Sequence, residues 1–84
     1  MRVEKGLSAR LKRNPETQFD LILRVAGATA DAASRLAKLG ISVRRTFSLT
    51  HSLSISATGA KASQLVREHW VESLEEDKPV RALH

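Results

Sequence analysis

Two strand patterns follow one another in the segment 41–59, ISVRRTFSLTHSLSISATG, and their succession decides the fold. Apolar residues recur at alternate positions through 41–49, but Arg45 breaks the inward alternation and indicates an edge strand or a bulge. From 52 to 57 serines alternate with apolar residues, which predicts a strand with one buried face. Because only residues 50–51 connect the two patterns, we expect a β-hairpin.

A strand and a helix precede this hairpin. In 17–27, TQFDLILRVAG, apolar residues recur with the period of two that a half-buried strand requires. In 29–40, TADAASRLAKLG, Thr29 is a candidate N-cap and Asp31 lies in the first turn, where its charge suits the helix dipole. Gly40 provides a left-handed stop, so the sequence predicts a short amphipathic helix.

A second helix and a fourth strand follow the hairpin. Thr58 and Gly59 open the segment 60–70, AKASQLVREHW, whose apolar residues share one helical face. We expect this helix to end near Trp70. The segment 71–77, VESLEED, then predicts a short strand.

The order of strand, helix, strand, strand, helix and strand predicts a ferredoxin-like α+β sandwich over residues 17–77. A four-stranded antiparallel sheet would carry both helices on one face and leave the other face open. Small side chains on that open face would let the helices of another protein approach closely, and a wetted polar face is the alternative. The residues that we expect to dock there are Ile22, Arg24, Thr46, Ser52, Ser54 and Ser56.

Composition excludes several classes of site. The chain has 84 residues, a formal charge of +5 and no cysteine, so disulfides and thiolate zinc sites are absent. The three histidines have no metal-ligand spacing, and no serine lies in a G-x-S-x-G elbow, so we expect no metal, no cofactor and no enzyme activity. No signal-like or membrane-spanning run occurs, which predicts a cytoplasmic protein with no membrane partner.

The two ends of the chain differ from the middle. Residues 1–16 are rich in Lys and Arg and are interrupted by Asn14 and Pro15, which predicts a basic flexible arm. Such an arm attracts nucleic acid or acidic surfaces, or is simply a solvated leader. Residues 78–84, KPVRALH, contain Pro79 and no helix signal, which predicts an extended tail.

Together, FDLILRVAG, LAKLGISVRRTFSLTHSLSISATG and LVREHWVESLEED resemble the subtilisin-propeptide family, which includes free-standing protease inhibitors. The resemblance extends from Thr17 to His84. Its best single motif is VESLEED at 71–77, which is similar to the acidic end of the family's last strand.

This resemblance implies a non-enzymatic inhibitor of a subtilisin-like serine protease, which could also help that protease to fold in trans. The open sheet face would dock on two surface helices, and Glu75 and Asp77 would cap their N-termini, with Glu76 pointing elsewhere. The tail would enter the substrate cleft, with either Leu83 or His84 in the primary specificity pocket. The tail residues concerned are Val80, Arg81, Ala82, Leu83 and His84.

A basic nucleic-acid-binding or regulatory adaptor domain is the rival interpretation. It would use the arm at 1–16 together with Arg44 and Arg45, and its binding would depend steeply on salt. A small-ligand regulatory domain on the same fold is a third possibility.

Overall fold

The computed structural model describes residues 2–77 of the chain, which form five strands and three helices. In chain order these elements are β1 Arg2–Val3, α1 Leu7–Arg13, β2 Gln18–Val25, α2 Thr29–Lys38, β3 Ser42–Phe47, β4 Ser52–Thr58, α3 Gly59–Leu65 and β5 Val71–Glu76.

The strands form one mixed sheet in the order β1-β5-β2-β4-β3. Three pairings are antiparallel, namely β2 with β4, β2 with β5 and β3 with β4, whereas β1 runs parallel to β5. The α+β class is confirmed. The predicted four-stranded antiparallel ferredoxin-like sheet with two helices is wrong, because β1 adds a parallel strand at one edge and α1 adds a third helix.

Both additional elements come from the segment that we expected to be a flexible arm, so that expectation is wrong for residues 2–13. Leu7 and Leu11 lie four residues apart on one face of α1, and both are fully buried in the core. Val3 packs against the same core. The apolar contacts of these residues therefore order a segment whose other side chains are mostly charged.

A single core lies between the helices and one face of the sheet. All three helices contribute to it, so they cover the same face. Burial of each large aliphatic side chain stabilises the fold by about 1.5–3 kcal/mol. The fully buried large side chains are Leu7, Leu11, Leu21, Leu23, Leu36, Leu53, Ile55, Leu65 and Leu74.

The hairpin has the edge position and the bulge that Arg45 indicated. β3 is the last strand of the sheet, and its register with β4 shifts between Val43 and Arg45. The connection is longer than predicted, because the strand ends at Phe47 and a turn occupies 48–51. His51 has a φ of 54° in this turn, and its Nδ1–H donates to the Gly27 carbonyl at 2.7 Å.

The two predicted helices form with shifted ends. α2 begins at Thr29 with Ala28 as its N-cap, and Gly40 follows it with a φ of 76°, as expected for a left-handed stop. α3 is capped by Thr58, whose Oγ1 accepts the Lys61 N–H at 3.3 Å. This helix ends at Leu65, before Trp70, because the next amides bond to carbonyls only three residues earlier in a tightened turn.

The start of α3 lies directly against the end of α1. A Cβ atom at Gly59 would collide with the backbone carbonyl oxygens of Leu11 and Asn14. The Gly59 and Ala60 N–H groups donate to the carbonyls of Thr17 and Pro15 at 3.0 and 3.1 Å. Only a glycine permits this approach, so Gly59 fixes how the N-terminal segment docks.

We expect Gly59→Ala to lower the free energy of unfolding by about 1–3 kcal/mol, measured by urea denaturation, because the added methyl group forces α1 away from α3. Helix propensity alone predicts the opposite sign, with a gain below the roughly 0.5–1 kcal/mol that applies in the middle of a helix, because Gly59 is the first residue of α3. Gln64→Ala, on the exposed side of the same helix, serves as the control. A Gly59→Ala variant as stable as the original chain would contradict the close packing.

Candidate protein-docking face

The sheet face opposite the helices is uncovered, and we call it the open face. On β2 and β4 its residues alternate with buried leucines and isoleucine and pair across the strands. Five of the six predicted docking residues lie there, and Ser54 is only 7% exposed between its neighbours. These open-face residues of the two central strands are Asp20, Ile22, Arg24, Ser52, Ser54 and Ser56.

The bulge in β3 changes which residues of this strand reach the open face. Arg45 pairs with Ser54 and Phe47 pairs with Ser52, whereas Thr46 pairs with the buried Leu53. Thr46 therefore lies on the helix side of the sheet, and its predicted place on the open face is wrong. The physical reason is that one extra residue in a strand reverses the alternation beyond it.

Arg44 and Arg45 are consequently both associated with the open face. Arg44 is the extra residue of the bulge, and its Nη1 lies 3.0 Å from Oδ1 of Asp20. Both side chains are more than half exposed, so this ion pair contributes at most about 1 kcal/mol. Arg45 and Phe47 are the open-face residues that regular alternation misses, and the break at Arg45 was the signal for them.

The acidic end of β5 divides between the two faces. Glu75 pairs with Ile22 and faces the open side, whereas Glu76 pairs with Leu21 and faces the helices. Asp77 continues the pairing, since its N–H donates to the Asp20 carbonyl at 2.8 Å. Asp77 also lines a shallow depression of the open face with Ile22 and Phe47. Glu75 and Asp77 are thus brought together on one face, and Glu76 points away.

Glu76 instead joins a cluster that ties the N-terminal segment to β5, and we call it the N-terminal clamp (Glu4, Arg10 and Glu76). Arg10 Nη2 donates to Glu76 Oε1 at 2.8 Å and to Glu4 Oε2 at 3.3 Å. Glu4 Oε1 accepts the Glu76 N–H at 3.1 Å. The Glu4 N–H donates to the Leu74 carbonyl at 2.9 Å. The clamp therefore fixes the last residues of β5 from the side away from β2.

The predicted cleft residues Val80, Arg81, Ala82, Leu83 and His84 lie outside the described residues. The described part of the chain ends at Asp77, beside the acidic end of the open face.

Other side chains that could bind a ligand or take part in catalysis lie at separate places in the fold. His51 is occupied with the Gly27 carbonyl, and His69 is exposed after α3. Arg35 stacks over the Trp70 ring at 5.7 Å from its centroid. Within residues 2–77, no three of the His, Asp and Glu side chains come together to hold a metal ion. No helix in this range has both the length and the apolar character needed to cross a membrane.

Comparisons with known proteins return no match. None of the protein-family models matches the chain. Searches of the curated proteins and of the solved structures likewise find no similar protein. Function is therefore inferred from the geometry described above and from the resemblance in the sequence.

We expect Arg10→Met to lower the free energy of unfolding by about 1 kcal/mol, because it removes hydrogen bonds to two partly exposed carboxylates. Amide hydrogen exchange at Glu76 should accelerate in this variant as the clamp opens. Arg13→Met, on the exposed side of the same helix, is the matched control. Equal protection of Glu76 in both variants would mean that the clamp does not hold β5.

Proposed function

We propose that the protein is a non-enzymatic inhibitor of a subtilisin-like serine protease. It docks by the open face and directs residues 78–84 into the substrate cleft. The observation that carries this proposal is the placement of Glu75 and Asp77 on the open face, immediately before those residues and on the same face as the serines of β4, from which β2 separates them. The resemblance to the propeptide family implies this combination of an open sheet face, acidic residues at the end of the last strand and a tail that follows them.

The serines of β4 form a strip of short side chains along the open face. Ser52, Ser54 and Ser56 have short side chains, so a helix of the partner can approach the sheet backbone closely. Larger side chains flank this strip, with Ile22 and Arg24 on one side and Phe47 and Arg45 on the other. The strip therefore suits the surface helices of a globular partner.

Glu75 and Asp77 suit the ends of such helices. A helix N-terminus has unpaired N–H groups and partial positive charge, so a carboxylate there accepts charge-assisted hydrogen bonds. Within residues 2–77 neither carboxylate makes an ion pair, which leaves both available to a partner.

The chain topology is compatible with the propeptide family once the N-terminal segment is set aside. Without β1 and α1, the remaining elements follow the order strand, helix, strand, strand, helix and strand, with the strands arranged β5-β2-β4-β3. We interpret this as a ferredoxin-like unit to which β1 and α1 add a clamped edge.

The tail in this proposal acts as a product-like competitor. Pro79 favours extended backbone, which suits main-chain pairing along a protease cleft. Leu83 would fill the primary specificity pocket and Val80 the apolar pocket three residues earlier. A peptide whose backbone is restricted by proline loses less entropy on binding than an unrestricted one. The same docking would stabilise a folded protease and so could assist its folding.

A nucleic-acid adaptor is the second candidate, and the arginines of the open face favour it. Arg2, Arg24, Arg44 and Arg45 all serve this face. Against it, the carboxylates of the same face would repel phosphates, and Arg10 of the basic segment is engaged by Glu4 and Glu76. The protease interpretation gives these carboxylates a role, as caps of helix N-termini.

The test compares the full chain with a form that ends at Val80, in assays of peptide hydrolysis by several subtilisin-type proteases, including an intracellular one. We expect competitive inhibition by the full chain and inhibition at least about tenfold weaker for the shortened form, since it lacks the residue for the primary pocket. No inhibition by either form would contradict the proposal.

The acidic caps have a separate test. Glu75→Gln with Asp77→Asn should raise the inhibition constant by about tenfold or more, because charge-assisted hydrogen bonds contribute about 1.5–3 kcal/mol each. Glu16→Gln with Asp31→Asn, both exposed, is the matched control, and circular dichroism verifies the fold. An unchanged inhibition constant for the variant at Glu75 and Asp77 would remove the capping role.

A further inference from the structure

One row of side chains on the open face carries opposite charges at its two ends. The register pairs Glu75 with Ile22, Ile22 with Ser54, and Ser54 with Arg45. We call these four residues the central row, because further open-face residues lie on both sides of it along β2 and β4. Its acidic end is on β5 and its basic end is on β3, and within residues 2–77 neither charge makes an ion pair. A second copy of the row, turned end for end, would therefore set each charge against its opposite.

The two central strands of the open face also differ in the size of their side chains. β2 carries Asp20, Ile22 and Arg24 there, and each of these residues pairs with a serine of β4. A second copy whose β4 lies over β2 would consequently place small side chains against large ones. The serines concerned are Ser52, Ser54 and Ser56.

One two-fold axis produces both kinds of complementarity. If the axis runs parallel to the strands, between β2 and β4, then β2 of each copy lies over β4 of the other, and β5 lies over β3. Ile22 then faces Ser54 of the second copy, and Glu75 faces Arg45. Sheets that pack face to face are about 10 Å apart, a distance that a glutamate and an arginine can bridge together. An axis across the strands would instead set Glu75 against Glu75 and Arg45 against Arg45.

The residues on both sides of the central row fit the same arrangement. Phe47 is 42% exposed, and it shares a row with Ser73 at the other side of the sheet. Each Phe47 would lie over Ser73 of the second copy and lose contact with water there. At the opposite end, Asp77 would lie near the bulge of the second copy, which carries Arg44.

The charges close to the axis have counterions within their own chain. Arg24 would approach Arg24 of the second copy, but its Nε lies 4.0 Å from Glu72 Oε1. Asp20 would likewise approach its equivalent, but its Oδ1 lies 3.0 Å from Arg44 Nη1. The net charge of +5 lies mostly outside this surface, because the charges on it nearly balance. Those within the four overlapping strands and at their ends are Arg24, Arg44 and Arg45 against Asp20, Glu72, Glu75 and Asp77.

We propose that two copies of the chain associate through their open faces about this axis. Four strands span only about 15 Å, so the contact is smaller than that of a stable dimer, and the association is weak and reversible. The association does not depend on the proposed function, but its consequence does. A dimer covers Glu75 and Asp77, so only the monomer could bind a protease by the open face.

The test measures the molecular mass of the full chain by analytical ultracentrifugation between about 10 µM and 1 mM, the range suited to a small interface. We expect a monomer–dimer equilibrium. Glu75→Arg alone or Arg45→Glu alone should weaken the dimer at least about tenfold, because like charges then face each other twice. The two substitutions together exchange the charges and should restore the dimer.

Net charge cannot explain this pattern, because the two single variants change it in opposite directions. Arg13→Glu, on the exposed side of α1, removes the same charge as Arg45→Glu and should leave the dimer at least as stable. Circular dichroism verifies the fold of each variant. A chain that remains monomeric at about 1 mM would overturn the inference, since even a weak interface associates there. A dimer that both single variants leave intact, or a loss that the double variant does not restore, would also overturn it.

These measurements contain no protease, so their outcome is independent of the proposed function. A chain that dimerises but inhibits no protease removes only the proposed function, and a monomer that inhibits removes only the dimer. Nuclear Overhauser contacts between labelled and unlabelled copies then locate the interface. We expect contacts from Phe47 to Ser73 of the second copy. Contacts from Phe47 to Ser42, which an axis across the strands would produce, or contacts between the helices would contradict the proposed arrangement.

Discussion

One-sided burial of the sheet is the constraint on which the other features depend. Alternate residues of β2 and β4 lie under the three helices, and the intervening residues must face away from them. Leu23 and Leu53 could not leave the core without a cost of several kcal/mol, so the register of the central strands is firmly held. The positions of Ile22, Arg24 and Ser54 on the open face follow from this register. The side chains of the open face are thus determined by the packing on the opposite side of the sheet.

Two local features of the edge strands then change which side chains lie on the open face. The bulge at Arg44 turns Arg45 and Phe47 toward the open face and turns Thr46 away. At the other edge, β1 extends the face by one strand and supplies Arg2, while the N-terminal clamp fixes the end of β5. Both edge strands therefore carry charged side chains, and β1 is short whereas β3 is bulged. These features also discourage pairing with the edge of another sheet.

The central strands and helices could be predicted from the sequence because their apolar periodicity is strong and their ends carry local signals. The alternation in 52–57, the cap at Thr58 and the left-handed Gly40 are examples. The N-terminal segment could not be predicted in the same way. Its apolar signal is only Val3, Leu7 and Leu11 among many charges, and its stability comes from contacts with α3 and β5 that no local window contains. Thr46 was misplaced for a related reason, since the sequence indicated a bulge without fixing the residue at which alternation reverses.

Binding of a subtilisin-like protease by the open face is the proposal to which every other functional assignment is tied. A crystal structure of the full chain with such a protease would decide it. We expect two surface helices of the protease to lie over Ser52, Ser54 and Ser56, with their N-termini at Glu75 and Asp77 and the C-terminal residues in the substrate cleft. A complex in which the protease contacts the helix side instead, with the open face left in solvent, would refute the proposal.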